Sequence, residues 1–225
     1  MGAPEPLLLV GAGGFAREAA AAVAAANAAG AAWDLLGFLD DDPARHGARV
    51  GSARVLGPID AVHDHPDARI VLCTGRPGDY ASRRRIAERL ALPEDRYATI
   101  VHPTATVGTG SSVGSGSVLL AHVDLTADVS VGRHVAVMPQ VVLTHDVRVG
   151  DFATVASGTR ASGRCRIGAG AYLGTGCCLR EGVEVGPQAM VGMGSVVTRD
   201  VPAGRLWFGA PARDFSAAPW PAARA

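Results

Sequence analysis

A chain of 225 residues with 48% apolar side chains can bury a core without staples, and its 21 cations against 21 acids leave no basic field for nucleic acid. Every one of those cations is arginine, which excludes Schiff-base chemistry and a phosphate-loop lysine. No apolar run reaches the roughly 18 residues of a membrane span, the run at 7–10 lacks a basic leader, and the cysteines (Cys73, Cys165, Cys177, Cys178) have neither metal nor disulfide spacing. A reduced, cytoplasmic chain with no membrane and no nucleic-acid partner is expected.

Residues 1–98 alternate between strand and helix. "LLLV" (7–10) is a short buried strand, and an Ala-rich helix follows "GAGG" and ends at Gly30. "WDLLGFLDDD" gives a second strand running into an acidic turn, and "ARIVLCTG" (68–75) a third. "PGDYASRRRIAERLAL" is a second helix, stopped before Pro93. This order predicts a small parallel α/β sheet, half of a Rossmann-like fold.

From Val101 the period becomes six. Seventeen hexads run without insertion from 101 to 202, beginning VHPTAT, VGTGSS, VGSGSV. Their first residue is Val, Leu or Ile in all but one, Ala161, and their fifth is always Ala, Ser, Thr, Cys or Val. Neither a helix nor an alternating strand has this period. A parallel β-helix with three flat walls does: the first and fifth residues fill the interior, and three hexads close an 18-residue coil. Glycine recurs at every third second position (114, 132, 150, 168, 186), where a left-handed corner is expected. Three units follow: an α/β domain at 1–98, the β-helix at 99–202, and a tail at 203–225.

Residues 18 apart should sit one above another at about 4.8 Å. His145 then shares a column with Ala127, Gly163, Glu181 and Arg199, and Asp146 with Asp128, Arg164, Gly182 and Asp200. Gly163 leaves space and a backbone amide beside the imidazole. A neutral imidazole can take a proton from an attacking amine or hydroxyl, with a carboxylate fixing its tautomer. The competing reading is a solvated corner histidine with Asp146 paired to Arg164.

The hexads, "THDVRVGDF", the closing "WFGAPAR", and "LLLVGAGGFARE" with "GFLDDD" ahead of them resemble the left-handed parallel β-helix acyltransferases. Within these the chain is similar to the sialic acid O-acetyltransferase and UDP-4-amino-sugar N-acetyltransferase group, of the bacillosamine type, over residues 6–213. The resemblance implies an acetyl-CoA-dependent N- or O-acetyltransferase acting on a nucleotide-linked amino sugar. His145 would be the general base, Asp146 its acidic partner, and transfer would be direct. It also implies a homotrimer that binds acetyl-CoA between neighbouring prisms, near Thr154, Gly163, Thr175 and Met193. Arg213, in the loop after the last coil, could approach the CoA phosphates. Gly13, Gly14, Phe15, Asp40, Asp41 and Gly75 match the group's nucleotide-sugar site. Three departures stand out: Thr154 replaces a histidine frequent in the group, Phe15 one seen in some members, and Met138-Pro139-Gln140 a polar, Asn-containing segment.

"GAGGFA" (11–16) with Asp40 also fits a dinucleotide fingerprint, but about 100 residues are too few for both halves of such a fold. Three other classes stay open. A zinc hydrase would use His102, His122, His134 and His145, no two of which share a column. A thiol enzyme would need a base beside Cys178, whose column neighbours are Val142, Arg160 and Val196; Cys165 and Cys177, at fifth positions, should be buried. A non-catalytic nucleotide-sugar-binding module would need no base at all. No metal is expected.

Overall fold

The computed structural model describes residues 3–216. The front half is a five-stranded sheet built from β1 (Glu5–Val10), β2 (Trp33–Leu39), β3 (Arg49–Val50), β4 (Ala53–Gly57) and β5 (Arg69–Leu72). Their order is β3-β4-β2-β1-β5, parallel except for the β3–β4 hairpin. β1 lies inside the sheet between β2 and β5, and Leu7, Leu8, Leu9 and Val10 are fully buried because helices and loops cover both faces of the sheet. Helix α1 (Gly14–Ala28) is Ala-rich, a composition that favours helix and lets Ala16, Ala19 and Ala22 pack flush against the sheet. Asn27 closes the exit by bonding both the amide and the carbonyl of Trp33. Helix α2 is Ser82–Leu90.

The chain order reverses at β1, whose neighbours β2 and β5 lead in opposite directions. Such a switch leaves a crevice at the carboxyl ends of the strands. Here it opens between residues 11–15, after β1, and residues 73–75, after β5.

The rest is the three-walled β-helix. Two-residue strands recur every six residues, from Ile100–Val101 to Val196–Val197. The first wall runs from Ile100–Val101 to Met190–Val191, the second from Thr106–Val107 to Val196–Val197, and the third from Ser112–Val113 to Glu184–Val185. Cα partners are 18 apart, as in Asp124↔Val142↔Arg160↔Cys178. From Leu119 onward the first residue of every hexad is buried, and from Ser117 so is every fifth. Each fully buried Val or Leu contributes about 1.5–3 kcal/mol of transfer free energy. Val107, in the first coil, is 42% exposed because no coil lies beneath it.

Two features differ from expectation. The left-handed residues fall at the fourth hexad position, not the second: every sixth residue from Gly110 to Gly194 has φ between 53° and 74°. The recurrent second-position glycines answer a different constraint. A Cβ on Gly114, Gly132, Gly150, Gly168 or Gly186 would come within 2.8 Å of the next coil's backbone. The final coil is also two residues short, since Met190 pairs with Leu206 and Val185 with Val201. Arg199 therefore leaves the column of His145 and lies over the Trp207 ring, while Asp200 accepts from the Glu184 amide. Beyond 202 the first wall continues: Leu206–Gly209 pairs with Met190–Val191, and Ala212–Asp214 folds back antiparallel. The remainder of the expected tail, 217–225, lies outside the described residues.

The two halves share a core. Val118, Leu120 and Met138 of the β-helix pack with Ala16, Ala19, Ala98 and Ile100. Arg83 of α2 fixes their register. It is only 2% exposed, and its guanidinium donates to the carbonyls of Thr74, His134, Phe152 and Ala153 and to Thr154 Oγ1.

Candidate active site

His145 and Asp146 occupy the corner between the second and third walls. Neighbouring side chains in a strand point to opposite faces. At Asp146 φ is +60°, and this left-handed residue breaks the alternation so that both side chains leave the corner together. Asp146 Oδ2 lies 2.8 Å from His145 Nδ1. An ionised carboxylate only accepts, so this bond places the proton on Nδ1 and leaves the Nε2 lone pair free. Both side chains are about half exposed, at 50% and 56%. Arg164 pairs with Glu181, so the expected Asp146–Arg164 pair is not formed.

Gly163 lies beside His145, as its column requires, but the space it leaves is filled. A Cβ on Gly163 would sit 2.3 Å from His145 Cε1 and 2.4 Å from Nε2. The missing side chain is the seat of the imidazole ring. The Gly163 N–H has no protein acceptor among the described residues, so an amide donor remains beside the base.

The sheet crevice forms a cleft of about 470 Å³ containing Gly13, Gly14, Phe15, Asp40 and Gly75. Helix α1 begins in it at Gly13 with no side-chain cap, and Ser82, at the uncapped start of α2, also lines it. Free amide groups and a positive helix end suit an anion. Asp40 holds the glycine turn, accepting from the amides of Ala12 (2.8 Å) and Asp42 (3.0 Å). Asp41 stands apart from the cleft: it accepts from Arg89 and from the Ile59 amide, which lowers its pKa, chiefly through Arg89. The Gly75 φ is +129°, and a Cβ there would strike Arg83 Nη1 at 2.6 Å.

A second cleft of about 230 Å³ lies between the loop after β5 and the first wall. Thr154, Thr175 and Met138 line it, and Phe15, Gly75 and Arg76 line both clefts, so the two meet at those residues. Thr154 is 8% exposed, and its hydroxyl accepts a structural bond from Arg83. Thr175 and Met193 stack one coil apart, the Gly194 amide donating to the Thr175 carbonyl, and Met193 is 77% exposed. Arg213 is exposed on the closing hairpin.

The remaining candidates separate by burial. Cys165 and Cys177 are buried, and burial lifts the Cys177 thiol to about 11. Cys178 is exposed beside Arg160, and its one hydrogen bond is a weak contact from the thiol to the Gly176 carbonyl. His134 is enclosed between Tyr97 and Phe152, and burial first, then Arg133 and Arg83, lowers its pKa to about 4. No group of three or more His, Cys, Asp or Glu side chains able to hold a metal occurs among the described residues.

Residues 6–90 match the PglD N-terminal domain family. A UDP-N-acetylbacillosamine N-acetyltransferase of Bacillus subtilis is 34% identical over 56 residues, 25% of this chain and 24% of that protein, so the match spans about a quarter of the curated relative. The acetyltransferase domain of PglB from Neisseria gonorrhoeae, in complex with acetyl coenzyme A, superposes with TM-score 0.83 at 28% identity, covering 94% of this chain and all of that one. A mutant perosamine N-acetyltransferase from Caulobacter crescentus, in complex with CoA and GDP-perosamine, gives 0.82 at 25% identity, covering 93% and 96%. The chain is similar to acetyltransferases of the bacillosamine type. The PglD N-terminal match falls on the front domain, and the PglB superposition extends across both the front domain and the β-helix.

Proposed function

We propose that the protein transfers acetyl from acetyl-CoA to an amine or hydroxyl of a nucleotide-linked amino sugar. The observation that carries this is the His145–Asp146 pair seated on Gly163, with Nε2 free and an unpaired amide beside it. The acceptor nitrogen or oxygen attacks the thioester carbon as His145 Nε2 takes its proton. The carbonyl oxygen gains charge, for which the Gly163 N–H is the candidate donor. The CoA thiolate then leaves, and the imidazolium returns the proton to it or to water. Asp146 stabilises the imidazolium while it exists.

The second cleft lies against the first wall and the larger one meets it at Phe15, Gly75 and Arg76, whereas His145 stands at the corner between the second and third walls. A wall of six residues at about 3.3 Å each separates them, beyond the reach of a side chain. The acceptor in one chain's clefts would therefore meet the His145 of a neighbouring copy, which supports a homotrimer with three shared sites. The cytoplasm, where acetyl-CoA and nucleotide sugars are available, is the proposed compartment.

Thioester consumption in the presence of candidate nucleotide amino sugars, followed with a thiol reagent, tests the reading. Wild-type turnover that disappears in His145→Ala supports it. Equal background in both would favour a non-catalytic binding module.

A further inference from the structure

We propose that Arg76 binds the outer, sugar-side phosphate of a nucleoside diphosphate at the neck where the two clefts meet. The inference rests on the nucleotide-sugar reading and adds which residue recognises which part of the ligand.

The argument is an accounting of charge. Five ionisable acids and arginines line the larger cleft: Asp40, Asp42, Asp79, Arg45 and Arg76. Four are already engaged within the protein. Asp40 accepts from two backbone amides; Asp42 accepts from the Ala44 amide and from Arg45. Arg45 also donates to the Ala12 carbonyl, and Asp79 holds Arg85 at 2.7 Å. Arg76 alone has no side-chain hydrogen bond or ion pair among the described residues. It is exposed, on a turn closed by the Asp79 amide donating to the Arg76 carbonyl.

Its position is specific. Arg76 borders both the cleft holding the glycine turn and the cleft holding Met138 and Thr175. A ligand with its nucleoside in the first and its sugar in the second must pass its second phosphate through this neck. The buried Arg83 also lines the second cleft and has only neutral oxygens around it, so its charge has no protein counter-ion there. The neck thus carries two guanidinium groups, and the exposed one, Arg76, has its donors free. Phosphate is the anion whose geometry a guanidinium matches with two parallel hydrogen bonds. The phosphate next to the nucleoside would lie at the amides of residues 13–15, so loss of Arg76 should be felt only by ligands with a second phosphate.

Calorimetric titration of the full chain with UDP, GDP and dTDP and with their monophosphates tests this, using wild type and Arg76→Ala. The expected result is diphosphate binding weakened about ten- to a hundredfold in the variant, with monophosphate binding and the melting temperature unchanged. Arg76→Lys should restore part of the loss. Diphosphate affinity unchanged in Arg76→Ala, or an equal fall for mono- and diphosphates, would overturn the assignment while leaving the nucleotide reading intact. A wild-type chain that binds no nucleotide would overturn both.

Discussion

Gly163→Ala isolates the seat of the imidazole from the imidazole itself. The added Cβ would stand 2.3 Å from His145 Cε1, 2.4 Å from Nε2 and 3.0 Å from Nδ1. Carbon contacts settle near 3.5–4 Å, so the ring must retreat by about 1 Å or more. The backbone at 163 is not left-handed, so alanine brings no torsional strain, and the half-exposed ring can swing into solvent. Stability should therefore move by less than about 1 kcal/mol. A misplacement of about 1 Å can cost roughly 100-fold in rate, and general-base catalysis as a whole contributes about 10²–10⁴. We expect kcat to fall about 100-fold in Gly163→Ala with an unchanged thermal melt. The double variant with His145→Ala should be no slower than His145→Ala alone, because the added methyl acts only through the ring and leaves the N–H of residue 163 in place. Thiol release gives the rate and circular dichroism the melt. A Gly163→Ala enzyme within about threefold of wild type would refute the seating argument, as would full additivity in the double variant.

Asp146→Asn retains a side chain that tolerates a left-handed backbone but removes the charge that favours the imidazolium. It should lower kcat about tenfold, far less than His145→Ala; equal losses in the two would make the carboxylate more than a partner. His145→Ala co-expressed with a cleft-blocked Gly14→Asp chain should regain activity, since mixed oligomers contain some sites with both an intact cleft and an intact base. No recovery in verified mixed oligomers would place base and cleft in one chain. Arg83→Met removes a buried cation and leaves the carbonyls of Thr74, His134 and Phe152 without it, at an expected cost of about 3–5 kcal/mol in denaturant unfolding. His134 predicts a pH effect. Its folded pKa, lowered to about 4 mainly by burial, lies below its ordinary 6.5, so the unfolded chain binds the extra proton first as pH falls. Stability is constant in this respect above 6.5 and declines by about 3 kcal/mol on the way to pH 4. His134→Asn should flatten that slope, and an unaltered slope would assign it to other groups.

The repeat was legible because the interior of a β-helix admits few residue types at two positions in six. The stacking of Gly163 on His145 followed from the 18-residue period, which holds through their coils, whereas the roles of His145 and Asp146 came from the family resemblance. It fails at the last coil, where Val185 meets Val201, because hexad spacing persists in the sequence after the coil itself has shortened. The β3–β4 hairpin went unread although Gly51-Ser52 stands between Val50 and Ala53; strands this short leave little alternation to detect. Arg83 was invisible for another reason. One arginine in "RRR" resembles its neighbours, and only the approach of the β-helix distinguishes the buried one. Asp41 and Asp40 are adjacent in sequence, yet one faces the cleft and the other ties down Arg89. The motif could not say which.

The left-handed corner explains how reactive groups can be placed on so regular a scaffold. Each hexad from 107 to 196 has a left-handed residue at its fourth position, and nothing in the interior constrains its side chain. Glycine holds that position at 110, 116, 158, 170, 176, 182 and 194, while Asp, His, Gln, Phe and Arg hold it elsewhere. The strain of a non-glycine residue there, about 1 kcal/mol or more, is tolerated where the side chain makes contacts outside the prism: His134 and Phe152 at the join between the halves, Asp146 beside the base. Asp146→Gly should therefore be neutral or stabilising while it slows turnover, and Asp146→Val should be destabilising, since a β-branched residue resists this backbone. Thermal melts of the two against their rates would separate conformational cost from chemistry. A stabilised Asp146→Val would show that the corner does not impose the constraint.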